Sequence, residues 1–217
     1  MNKDSPEFQK FVKHILFFEG GLSKDTNDTA VQYAPFPGAY HTNKGVTYGT
    51  FTTLAKKLGI TPVTYEKFVK LTDEEVGRFI FDFYMAVNGN LLPSSVGLSV
   101  AEVAWGSGPS RAIKNLQDAL INMGRLAPGN STGTFGPLTK KAVVGVNERI
   151  LYDEFWRLRQ IFINYLTAQS KYSMFSKGWN RRIQAFLKNI QPSKIVIPVV
   201  LIAGVVFYFL NKQYKFI

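Results

Sequence analysis

The chain has 217 residues and an apolar fraction of 46%, enough for one domain with a substantial core, which excludes a disordered tail. It contains no cysteine, so disulfides, a thiol nucleophile and thiolate metal sites are excluded. With only His14 and His41 as histidines, a metal centre is not expected, and neither is a cofactor. The formal charge of +11 is uneven: residues 1–100 hold 10 basic and 10 acidic side chains, residues 101–217 hold 16 and 5. That asymmetry points to a polyanionic partner met by the second half: nucleic acid, an anionic lipid surface or an acidic cell-wall polymer. No helix-turn-helix or zinc signature accompanies the basic residues, so nucleic acid is not expected.

The opening segment MNKDSPEFQKFVKH lacks an apolar run after its charges, and no secretory signal is expected there. Ser5-Pro6-Glu7 reads as a helix start, followed by Phe8, Phe11, Val12, Ile15, Leu16 and Glu19 at helical spacing until Gly20-Gly21. Residues 33–41 form a Pro-aromatic insertion without helical period. Thr72 with Glu75 forms a capping box, and Ser99 with Glu102 reads as another. Residues 128–137 are rich in turn formers. Residues 145–166 carry an amphipathic pattern through Val146, Ile150, Phe155, Leu158, Phe162 and Leu166. No sustained alternation argues for a large sheet, so the body is expected to be mainly α.

Residues 195–210 are sixteen uncharged, apolar residues bracketed by Lys194 and Lys212. As a helix they span about 24 Å, slightly under a bilayer core of about 30 Å, a gap that snorkelling lysines and interfacial aromatics can bridge. The expectation is a C-terminal single-pass transmembrane anchor; a buried core helix is the alternative. Basic residues crowd its N-terminal flank, which by the positive-inside tendency places the body on the cytoplasmic or equivalent side.

Glu19 is the residue whose placement asks for chemistry. A carboxylate on an apolar stripe at a helix C-terminus is disfavoured as an anion by burial and by the helix dipole, and a proton held near neutral pH is what glycosidic bond cleavage requires of its acid. Asp25 and Asp28 follow within nine residues and supply a candidate second carboxylate. Thr42 and Thr47 offer hydroxyls. The same spacing is also met by a surface helix-end carboxylate and two turn-forming aspartates. Tyr48, Tyr84, Trp105 and Trp179 have the size of core or interface residues, and Tyr84 and Trp105 could also wall a sugar site.

The run FxxFVxHILFFEGGLxxDxxD, then TNKGVT, FxxxFY, GSGPSRAIKNLQ, TGTFGPLT and GWNRR, in that order over residues 7–185, resembles glycoside hydrolase family 108. The resemblance implies a lysozyme-like helical body that cleaves the β-1,4 bond between N-acetylmuramic acid and N-acetylglucosamine in peptidoglycan, as phage and bacterial muramidases do. It implies a catalytic region over residues 1–108 and a peptidoglycan-binding region over residues 109–190, ahead of the anchor at 195–210. It also implies Glu19 as catalytic acid, Asp28 or Asp25 as its partner, and a site role for Thr42. Phage lysozymes place Glu, eight residues, Asp, five residues, Thr; Glu19 and Asp28 keep the first spacing, whereas thirteen residues separate Asp28 from Thr42. Thr47, Tyr84, Trp105 and Glu102 are the candidate substrate contacts, with Glu102 also explained as a capping residue. Arg181-Arg182 could meet muramyl carboxylates, a lipid surface or only water.

The expected partners are therefore peptidoglycan glycan strands and a lipid bilayer. The expected setting is a virion internal membrane, where the enzyme would act at entry, or the host membrane, where it would act at lysis. A lytic transglycosylase using Glu19 alone, and a non-catalytic membrane-anchored wall-binding protein, are the competing readings.

Overall fold

The computed structural model describes residues 1–192. The expected transmembrane run at 195–210 lies outside the described residues, among which no helix is long and apolar enough to cross a membrane.

Helix α1 (Pro6–Phe18) starts as its sequence requires: Ser5 accepts the Phe8 amide and Pro6 takes the first helical position, where its missing N–H costs nothing. Phe8, Phe11, Val12 and Ile15 face the core. The helix stops at Phe18, and Glu19 leaves it with extended backbone angles (φ −86°, ψ 134°). Glu19 therefore caps the helix instead of lying on its last turn.

Three two-residue strands follow, β1 (Leu22–Ser23), β2 (Thr42–Asn43) and β3 (Val46–Thr47), antiparallel in the order β1-β2-β3. Ser23 pairs with Thr42, and Asn43 with Val46. The β2–β3 turn is Lys44-Gly45, both at positive φ (48° and 80°), the combination that two-residue hairpins favour. Buried Asn43 ties the hairpin to the body by donating to the Phe68 and Val69 carbonyls at 2.8 and 3.1 Å.

The remainder is helical, as its patterning predicts. Helices α2 (Tyr48–Leu54) and α3 (Tyr65–Val69) lead to α4 (Asp73–Ala86), whose first turn carries the expected Thr72–Glu75 capping box. Helix α5 (Ser94–Ser107) is buried continuously from Ser95 to Ala104 and forms the centre of the molecule, with α1, α4, α6 (Pro109–Asn122) and α8 (Glu148–Thr167) against it. Helices α7 (Pro137–Val143), α9 (Ser170–Ser173) and α10 (Ser176–Asn189) complete the body, and α10 packs on α1 and α8.

Two expectations are corrected here. Ser99 and Glu102 form no capping box, because they lie inside α5; the Ser99 hydroxyl donates to the Ser95 carbonyl (2.7 Å) and accepts from Trp156 Nε1 (2.9 Å). In α8 the buried face is Leu151, Tyr152, Phe155, Trp156 and Ile163, with Ile150 exposed. The packing favours the bulk of Tyr152 and Trp156, which turns the helix about one residue from the stripe read in the sequence. The loop at 128–137 is pinned by Gln117 of α6, which donates to the Thr134 carbonyl (2.9 Å) and Thr139 Oγ1 (3.0 Å) and accepts from the Gly133 amide (2.9 Å).

Candidate active site

Three distant parts of the chain converge on Glu19. Its Oε1 accepts from Trp105 Nε1 of α5 at 2.9 Å and from Arg182 Nη1 of α10 at 2.6 Å. Its other oxygen faces the β2–β3 turn: a methyl built on Gly45 would lie 2.7 Å from Glu19 Oε2 and 2.9 Å from Trp105 Nε1. Only a residue without a Cβ, and one at ease with φ of +80°, lets the hairpin close on the carboxylate this tightly. One oxygen is thus fixed by two donors while Oε2 accepts no hydrogen bond among the described residues. The side chain keeps 18% of its surface exposed.

Behind Glu19 lies a second carboxylate. Arg182 forks onto Glu102, with Nε to Oε1 at 2.5 Å and Nη2 to Oε2 at 3.1 Å, the bidentate geometry that guanidinium groups favour. His14 of α1 approaches the same carboxylate, Nε2 to Oε1 at 3.7 Å, without a hydrogen bond. Burial opposes the Glu102 charge, but Arg182 and His14 outweigh it and hold the carboxyl down to about 2. Burial likewise opposes the Arg182 charge, and Glu102 first and Glu19 second more than offset it, so the guanidinium is protonated well above its ordinary range. With both carboxyls ionised the trio Glu19–Arg182–Glu102 carries one net negative charge. The free Oε2 is the atom of this network from which a proton can be passed outward.

This arrangement corrects the picture of Glu19 on an apolar stripe with only the helix end for electrostatic company. The carboxylate instead meets an indole N–H and a shared guanidinium. Glu102 is no free substrate contact, since Arg182 occupies both its oxygens. Tyr84 is 1% exposed, packed where Gly89 and Gly97 leave room for its ring; burial pushes its hydroxyl up to about 12, and it offers no face to a sugar. Trp105 is half-buried beside Glu19, its ring edge-on to Phe83 at 5.2 Å.

Asp25 and Asp28 are exposed and engage their own loop. Asp25 Oδ1 accepts from the Asn27 amide (2.9 Å), and Asp28 caps a short 3₁₀ turn by accepting from the Ala30 amide (2.9 Å). Thr42 Oγ1 lies 2.9 Å from Nδ1 of the fully buried His41, whose Nε2 is 3.1 Å from the Asp25 carbonyl. A carbonyl only accepts, so Nε2 carries a proton, and Thr42 is linked through His41 to the loop bearing the aspartates. Thr47 spends its hydroxyl on the α2 cap, accepting from the Thr50 amide at 3.1 Å. Among the described residues no cluster of His, Asp and Glu has the arrangement of a metal site.

Arg182, Gly45 and His14 are the site residues that the sequence reading missed or misassigned. Arg182 stood out in GWNRR but as a contact for substrate or lipid, and its partners are the protein's own carboxylates. The usable signal was Glu102 itself: one acid inside the apolar run SVGLSVAEVAW demands a buried cation.

A buried ion network that leaves one carboxyl oxygen free beside a small hairpin defines a candidate acid–base site on a mainly helical body. Residues 12–108 match the family model described as Glycosyl hydrolase 108, and the chain is a glycoside hydrolase. The fold is shared with a solved structure described as "Structure of Brucella abortus SagA", at 24% identity and a TM-score of 0.59, covering 82% of this chain and 90% of that one. No curated protein matches the chain.

Proposed function

We propose that this chain is a muramidase that hydrolyses the β-1,4 bond between N-acetylmuramic acid and N-acetylglucosamine in peptidoglycan, with Glu19 as proton donor. The observation that carries the reading is the clamped Glu19 carboxyl, one oxygen held by Trp105 and Arg182 and the other free beside Gly45. Fixing Oε1 orients Oε2 at no cost in reorganisation during reaction, the property expected of a positioned acid. The match to a glycosyl hydrolase family over residues 12–108 supports the same class of chemistry. In the hydrolytic scheme Asp28, or Asp25, assists the water or steadies the oxocarbenium-like state. The region 109–190 is read as the part that holds the glycan strand. Digestion of purified sacculi by the full chain, lost in Glu19→Gln, tests the assignment; an active Glu19→Gln protein refutes Glu19 as the proton donor, and an unaltered chain that digests no sacculi leaves a non-catalytic wall-binding protein.

A second reading has an observation of its own. Asp25 and Asp28 are exposed and satisfied by neighbouring amides, and Glu102 is neutralised by Arg182, so Glu19 could serve as both acid and base in a lytic transglycosylase. Mass spectrometry of the products separates the two, reducing ends marking hydrolysis and anhydro ends transglycosylation.

The run at 195–210 is read as a tether to a lipid bilayer, supported by its sixteen uncharged residues between Lys194 and Lys212. A virion membrane or the host membrane would then hold the enzyme near the wall it opens. Detergent-dependent release of the protein from membranes or purified particles tests this; recovery in the aqueous fraction refutes it.

A further inference from the structure

Beside the ion network, α5, α6, α8 and α10 enclose a cavity of about 330 Å³, lined among others by Ser107, Arg111, Arg159, Phe162, Trp179 and Arg182. Arg182 is the one residue it shares directly with Glu19, which its guanidinium touches at 2.6 Å. The other two arginines answer no carboxylate among the described residues. Arg159 donates only to Ser107 Oγ, at 3.0 Å, and both guanidiniums lie over the same ring, Arg111 at 4.7 Å and Arg159 at 5.5 Å from the centre of Phe162.

Glu102, the carboxylate that also lines this pocket, is held by Arg182, which leaves half-buried Arg159 and exposed Arg111 without a counter-anion, and like charges brought together there are unfavourable unless an anion completes the set. The strain is visible at Arg159: burial foremost lowers its guanidinium to about 10, Glu102 opposes that, and Arg182 and Arg111 add to it. The planar forks and the ring between them suit a carboxylate better than a spherical ion, since guanidinium pairs with carboxylate edge to edge while stacking on an aromatic face. The apolar remainder of the wall, including Ile163, Leu166 and Ile183, suits small aliphatic groups.

We infer that this pocket is a subsite for the carboxylate-bearing stem peptide of peptidoglycan, with Arg111 and Arg159 as its anion-binding pair. The inference rests on the muramidase reading for the choice of ligand. The stem peptide hangs from the muramyl sugar, whose glycosidic bond the proposed reaction breaks, and it combines free carboxylates with alanyl methyl groups. Arg182 would then link the two events, touching Glu19 on one side and closing the peptide pocket on the other.

The test is calorimetric titration of the full chain with free stem tripeptide (L-alanyl-γ-D-glutamyl-diaminopimelate), its fully amidated form and inorganic phosphate. Expected is saturable binding of the tripeptide, at least about tenfold weaker binding of the amidated form, and a similar loss in Arg111→Met. Arg159→Lys, which keeps the charge but not the fork, should weaken binding without unfolding the chain. In parallel, the preference for peptide-bearing over peptide-stripped glycan strands should collapse in Arg111→Met. Equal binding of tripeptide and amidated tripeptide, or binding of phosphate alone, overturns the inference. Calorimetry reads the pocket without any reaction: a chain that binds peptide but cuts no glycan refutes the enzymatic reading and upholds the pocket, whereas one that cuts glycan but binds no peptide does the reverse.

Discussion

Arg182 and Glu19 are separated by 163 positions in the chain and by 2.6 Å in space. That contact ties the last described helix to the residue that follows the first, and it sets the behaviour expected of variants on either side.

Replacing Glu19 by Gln keeps its size and can keep the Arg182 and Trp105 donors through the amide oxygen, but removes the transferable proton. Hydrolysis of sacculi, followed as reducing ends released, should fall about a hundred- to ten-thousand-fold. Thermal denaturation should show a folded protein.

Gly45→Ala places a methyl 2.7 Å from Glu19 Oε2 on a backbone held at φ +80°. The conformational cost is about 1–2 kcal/mol. Displacement of the carboxylate should lower kcat about a hundredfold, so activity should fall far more than the melting temperature would suggest. A variant with normal turnover would show that the hairpin does not position Glu19.

Trp105→Phe retains a ring against Phe83 and deletes the donor to Glu19 Oε1. Hydrogen bonds to a charged group contribute about 1.5–3 kcal/mol, and a turnover loss of about tenfold to a hundredfold is expected from looser positioning. Steady-state kinetics should place the effect in kcat more than in KM.

The Glu102 carboxyl is held down to about 2 in the folded protein against an ordinary 4.5. A lowered folded value stabilises the protein above the unfolded value, and that contribution is lost as pH falls from about 4.5 towards 2. Its size is on the order of 3 kcal/mol. Denaturant titrations should therefore show a steep loss of stability across that window. Glu102→Gln should be weaker at neutral pH and flatter through the acid range; an unchanged acid limb would remove Glu102 from the account.

The elements with strong local signals were readable directly. Ser5-Pro6 and the Thr72–Glu75 box start α1 and α4 where expected, because a capping interaction is satisfied by neighbours in sequence. Glu19 stood out as an acid at the end of an apolar run, although the structure takes it off the helix as its C-cap. What surrounds it did not: Arg182 and Trp105 reach it through tertiary packing that no local period encodes. Ser99 and Glu102 mimic a helix start, yet the buried surroundings of α5 carry the helix through them. Strands of two residues leave too short a pattern to detect, so the hairpin that presses Gly45 onto Glu19 was visible only as a motif, TNKGVT.

The guanidinium that steadies Glu19 comes from near the end of the described chain. On an emerging polypeptide, residues 12–108 leave the ribosome well before it, with Glu19 and Glu102 still awaiting their cation. Synthesis must proceed past position 182 before the site can assemble, so a wall-cutting activity would stay silent during translation and switch on only as the closing helix docks.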